Sequence, residues 1–207
     1  MMSTPSEVKD LKLAAVRETY SDGLTEIVTG GLFFIVALAT GRPAFYWTFL
    51  FAILLLGPGL QRLKARYTYP RIGYAKIQDE DPIRMRNGVL SWVLGVFLAT
   101  AIILAATGHI TDNLAWRRAA PAIGGLLFSG GFLYLAQQSR LARHWFLAAF
   151  SAVTGILMVL PPIPEPYGNL RVWAMVMALV CLTVGAVVLR GFVKTTPLVD
   201  ERMPDDE

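Results

Sequence analysis

Six runs of about 17 to 19 nearly uncharged residues recur along this 207-residue chain, the length a helix needs to cross bilayer hydrocarbon. They are 24–40, 44–60, 89–107, 119–137, 145–161 and 172–189. At ~1.5 Å per residue each covers roughly 25–29 Å. Charged residues make up 16% of the chain, against about 25% in ordinary soluble domains. This pattern excludes a soluble globular enzyme, a disulfide scaffold and a disordered chain. The expected fold is all-α, an integral membrane bundle of six transmembrane helices. Gly41-Arg42-Pro43 ends one helix and starts the next, so the first two runs form a tight helical hairpin.

Basic residues orient the spans. Lys9, Lys12 and Arg17 precede the first; Arg62, Lys64, Arg66, Arg71, Lys76, Arg84 and Arg86 follow the second. Arg140 and Arg143 follow the fourth, and Arg190, Lys194 and Arg202 follow the sixth. Of 19 Lys and Arg residues, the opposite side keeps Arg42, Arg117, Arg118 and Arg171. The positive-inside rule then places both termini in the cytoplasm. Trp47, Trp92, Trp116, Trp145 and Trp173 all fall near an expected interface, where an indole packs on apolar chains and donates to water.

The resulting division is a cytoplasmic N-terminal segment 1–23 with room for an interfacial helix, a membrane domain 24–190, a cytoplasmic loop 61–88, and a disordered cytoplasmic tail 191–207. The N-terminal stretch lacks the pattern of a cleaved signal peptide, so the first span reads as retained. The outer loop with Pro161, Pro162, Pro164 and Pro166 reads as a short stiff spacer.

Small residues supply close helix contacts in lipid, where apolar burial drives little association. Stripes containing Gly30, Gly95, Gly125, Gly131, Gly155, Ala178 and Gly185 read as helix-packing positions. Fragments 29–34 and 129–134 look alike but lie at different depths, so the expectation is no inverted repeat.

Candidate chemistry is sparse. Cys181 is the single cysteine and lies in an apolar run, so neither an internal disulfide nor a cysteine metal cluster is expected. His109 and His144 read as loop residues. No metalloprotease helix motif, nucleophile elbow, P-loop or dinucleotide fingerprint is present. The expectation is no catalytic residue, no metal and no cofactor. Glu26 lies about one turn inside the first span, with Asp22 four residues earlier on the same expected face. The reading is an acid that balances the helix dipole and basic residues of the cytoplasmic loop; the competing reading is an ion or proton site.

The most distinctive stretch is loop 61–88. Aromatic and β-branched residues flank a Pro-x-x-Gly in 67–77, which predicts a small hairpin or compact turn. Tyr69, Pro70, Arg71, Gly73 and Tyr74 are candidate docking residues there, beside Asp22 and Glu26. The basic residues of the loop are expected to meet anionic lipid headgroups. Asp22-Gly23-Leu24-Thr25-Glu26-Ile27, followed by Tyr69-Pro70-Arg71-Ile72-Gly73-Tyr74, resembles a group of small uncharacterised bacterial multi-pass membrane proteins. The resemblance covers roughly 20–78. It implies a bacterial cytoplasmic (inner) membrane and carries no established activity or catalytic residue.

The functional expectation is a non-enzymatic scaffold or accessory subunit acting through its cytoplasmic loop. Its partners would be the lipid bilayer and a cytoplasmic or membrane protein, with no nucleic acid. The rival is a small-solute permease or channel, with Glu26 near its inner mouth.

Overall fold

The computed structural model describes residues 17–42, 58–72, 82–106, 113–160 and 168–196. Every element among them is helical. Five helices carry the fold: α1 (Leu24–Ala39), α2 (Pro82–Ala106), α3 (Asn113–Ser139), α4 (Ala142–Leu157) and α5 (Gly168–Thr195). A helical stretch at 58–67 and one turn at Tyr69–Ile72 precede α2. α3 and α5, with 27 and 28 residues, are long and apolar enough to cross a membrane. α1 and α4 have 16 residues each, about 24 Å of helix.

The helices pair before they assemble. α1 runs antiparallel to α5: Gly23 lies beside Gly185, Gly30 beside Leu182, and Gly41 beside Arg171. α3 and α4 form a hairpin turned at Arg140, whose left-handed φ of 53° reverses the chain in two residues. A Cβ added at Gly125 would lie 2.6 Å from the Ser151 carbonyl oxygen, and one added at Gly155 would lie 2.6 Å from that of Pro121. The two backbones therefore touch at a crossing that admits no side chain. Ser151 donates to the Gly125 carbonyl at 3.0 Å in the same crossing.

The two pairs close on a core of Phe33, Phe132, Leu147, Trp173, Met177 and smaller neighbours. Phe33, Phe128 and Trp173 pack as a triangle of rings with centroids 4.4, 5.3 and 6.3 Å apart. The exterior is apolar as well. Leu98, Leu179, Val187 and Ile102 are more than half exposed, at 64, 68, 67 and 59%.

Several sequence expectations change. Of the small hairpin or compact turn expected in 67–77, the described part is a single helical turn, with Pro70 in the first turn where its missing N–H costs nothing. Helix α5 runs to Thr195, so residues 191–195 of the stretch expected to be disordered are helical; Lys194 in the last turn suits the helix dipole. α2 and α3 start seven and six residues before their apolar runs, since backbone hydrogen bonding does not stop where the apolar composition does. Most of the 44–60 span, Gly73, Tyr74 and His109 lie outside the described residues.

Candidate functional site

Two carboxylates lie fully buried at the start of α1. Asp22 precedes the helix rather than sharing a face with Glu26. Its Oδ1 accepts the Leu24 N–H at 3.0 Å and its Oδ2 accepts the Thr68 hydroxyl at 2.6 Å. One oxygen thus satisfies an orphan donor of the helix start, and the other holds the 58–72 segment. Gly23 between them has φ 75°, and an added Cβ there would meet the Gly185 carbonyl oxygen at 2.6 Å. Both the left-handed backbone and the contact with α5 require glycine.

Glu26 takes its side-chain hydrogen bonds from the α3–α4 hairpin, while Lys64 of loop 61–88 acts on it through its charge alone. Its Oε1 accepts from Arg143 Nε at 2.5 Å and lies 2.9 Å from His144 Nε2. Its Oε2 is buried with no hydrogen-bond partner. The Arg143 guanidinium also donates through Nη2 to the Tyr20 carbonyl. His144, expected in a loop, is the third residue of α4 and is 0% exposed. Its Nδ1 lies 2.8 Å from Ser139 Oγ, and Tyr20 meets its ring edge-on at 6.4 Å.

Lys64 completes the cluster. Its ammonium donates to the Thr19 carbonyl at 2.9 Å and stands 4.5 Å from the centroid of the Tyr20 ring. Burial holds its pKa below the ordinary lysine value, while the negative charges of Asp22 and Glu26 act in the opposite sense. This residue was expected to meet lipid headgroups, and it is 6% exposed instead. Its neighbours Arg62 and Arg66 are exposed. Arg71 Nη1 donates to the Thr196 carbonyl at 2.6 Å, tying the same segment to the end of α5. Tyr69 is half-buried and Pro70 exposed.

Four stretches far apart in sequence, 19–26, 64–71, 139–144 and 196, therefore meet at one end of the bundle. The opposite end has its own ties: Asn169 Nδ2 donates to the Met158 carbonyl at 2.5 Å, and Arg171 Nη2 to that of Thr40 at 3.2 Å.

The small-residue positions separate into two groups. Gly30, Gly125, Gly155 and Gly185 press on neighbouring helices, and Ala178 is 1% exposed in the core. Gly95 and Gly131 have nothing within 4 Å of an added Cβ among the described residues. Arg143, His144, Ser139 and Thr68 were not singled out from sequence. The available signal was the polar run Ser139-Arg140-Leu141-Ala142-Arg143-His144, on the side of the bundle where Glu26 enters. Among the described residues no group of three His, Cys, Asp or Glu could hold a metal ion. No protein-family model, curated protein or solved structure matches the chain.

Proposed function

We propose that the chain is a six-span protein of the bacterial cytoplasmic membrane, with both termini inside, acting as a non-enzymatic scaffold or accessory subunit through its 61–88 segment. The observation that carries the scaffold reading is the filled space between the described helices. Phe33, Phe128, Trp173 and Met177 occupy the space between the helix pairs, where a permease needs a polar path. The rival permease reading draws on Glu26, a buried ionisable group of the kind that marks ion routes. Its engagement with Arg143 and His144 at one end of the bundle supports a structural use instead.

Membrane insertion is supported by the outward Leu, Ile and Val side chains, which water would drive into aggregates and lipid would cover. Six crossings are supported by the two ends. Thr40 lies at the Arg171 end and Lys64 at the Glu26 end, as a second crossing between them requires. Arg71 lies at the Glu26 end and α3 ends there at Ser139, which suits a further crossing through α2. The segments that share the Glu26 end are those richest in Lys and Arg, which supports a cytoplasmic assignment for that end.

The exposed Arg62 and Arg66 suit anionic headgroups, while Asp22, Thr68 and Arg71 hold the segment in a fixed pose that a protein partner could read. The experiment is purification of tagged protein from its native membrane, with wild type compared against Pro70→Ala and Gly73→Val. Loss of co-purifying proteins from the variants, with insertion intact, is the expected result. Solute flux into vesicles holding pure protein, abolished by Glu26→Gln, would replace this reading with the permease.

A further inference from the structure

The end of the bundle where α5 stops carries a cationic face, and we propose that the acidic stretch 197–207 of the same chain docks on it, in competition with anionic lipid headgroups. The face is built from two cation pairs. On the 58–67 helical stretch Arg62 and Arg66 are exposed and four residues apart, so they share one side, while Lys64 between them is buried. On α5 Arg190 and Lys194 are exposed with the same spacing. Like charges at that spacing repel. The two stretches are tied together by Arg71, whose Nη1 donates to the Thr196 carbonyl at 2.6 Å. At ~1.5 Å of rise per helical residue, Lys194 and Arg190 lie roughly 3 and 9 Å along the axis from Thr196. Arg66 and Arg62 lie about 8 and 14 Å along the chain from Arg71 by the same measure.

The acids of the folded bundle do not balance this charge. Asp22 and Glu26 are buried, with Asp22 on Thr68 and the Leu24 N–H and Glu26 on Arg143 and His144. Glu18 is the one exposed acid among the described residues. The opposite charge comes next in the sequence. Past Thr196 stand Asp200, Glu201, Asp205, Asp206 and Glu207 against the single Arg202.

Length and anchor point fit as well as charge. A chain spanning 197–207 reaches up to ~36 Å, well past Arg62, and Asp200 alone reaches ~13 Å. The bond from Arg71 to the Thr196 carbonyl fixes the root of this stretch beside the 58–72 segment, so its acids meet the face at a high effective concentration. Lipid phosphates offer the same cations the same kind of anion, so tail and headgroup exclude each other there. The tail then covers the face where the surrounding lipid is uncharged and yields it where the lipid is anionic. Docking of the tail needs no assignment of sidedness or function; its displacement rests on the headgroup reading of Arg62 and Arg66 given above.

The test uses full-length protein in nanodiscs of zwitterionic lipid, one copy to a disc. In a Cys181→Ala background, spin labels at the exposed Ala65→Cys and at Met203→Cys report the distance from tail to face by pulsed electron resonance. A compact short-distance peak is expected. Neutralising the tail with Asp200→Asn, Glu201→Gln, Asp205→Asn, Asp206→Asn and Glu207→Gln should cut the population of that peak about threefold or more, as should about 0.5 M salt, which screens charge over a few ångströms. Anionic lipid added to the disc should displace the peak, and the neutralised tail should raise retention of that lipid about threefold or more. The same distance distribution for native and neutralised tails overturns docking, even if anionic lipid is retained. A peak that depends on tail charge but persists in anionic lipid supports docking and overturns the headgroup reading instead. A charge-dependent contact found only in discs holding two copies places the tail on a neighbouring molecule and overturns docking within the chain.

Discussion

Arg143 Nε donates to Glu26 Oε1 at 2.5 Å, joining residues 117 positions apart and fastening the α3–α4 hairpin to the start of α1. The same guanidinium holds the Tyr20 carbonyl, so one side chain ties the hairpin to the helix and to the segment that enters it. Removing one member of such a pair leaves the charge of the other without a partner.

Glu26→Gln keeps shape and removes charge. Arg143 and His144 would then face an amide, with His144 at 0% side-chain exposure and Arg143 at 18%. Breaking a buried pair in this way costs about 3 kcal/mol. Denaturant unfolding in detergent should show that loss. Joint replacement by Glu26→Met, Arg143→Met and His144→Leu should recover at least half of it, because apolar groups need no charge partner. Equal loss in single and triple variants would show that packing, not charge, dominates at this site.

The helices of the described apolar runs were legible because apolar composition is local. The Glu26 cluster was not, because its partner lies 117 positions away and Arg143 reads in isolation as one more interfacial cation. Asp22 showed the limit of periodicity: spacing of four suggests a shared face, but Gly23 adopts φ 75° and takes Asp22 out of the helix. Lys64 and Arg62 are two positions apart on one helical stretch. One is buried and one exposed, a difference set by tertiary packing that charge counting does not register.

The glycines give a sharper test of the same point. Gly125→Ala and Gly155→Ala would each drive a methyl to 2.6 Å from a backbone oxygen of the facing helix, so the α3–α4 hairpin must open. Overpacking of this kind costs about 1–3 kcal/mol. Gly131→Ala sits on α3 six positions from Gly125 in open space, and there the change should be neutral or stabilise by roughly 0.5–1 kcal/mol through helix propensity. Thermal unfolding of the three variants checks the order. Destabilisation by all three alike would mean that α3 is rotated from the orientation described.

Orientation is tested by labelling. In the Cys181→Ala background, single cysteines at Gln78 and Glu165 should fall on opposite sides of the membrane. An impermeant thiol reagent added to intact cells should label position 165 and spare 78. The reverse pattern would put the Glu26 end outside.

Thr68 and Arg62 separate fixed shape from surface charge in the 58–72 segment. Thr68 is 0% exposed and gives its hydroxyl proton to Asp22 at 2.6 Å. Thr68→Val retains the volume and strands Asp22 Oδ2 in a buried site, which costs about 1–3 kcal/mol. Thr68→Ser keeps the donor and should lose much less. Arg62→Ala and Arg66→Ala act at exposed positions, so stability should hold while affinity of the 58–72 segment for anionic headgroups falls by about 1 kcal/mol per charge. Unfolding measures the first pair; lipid retention by purified protein in mixed micelles with and without an anionic lipid measures the second. If Thr68→Val is as stable as wild type, Asp22 does not hold the segment in place. The fixed pose that the docking proposal needs would then have lost its anchor.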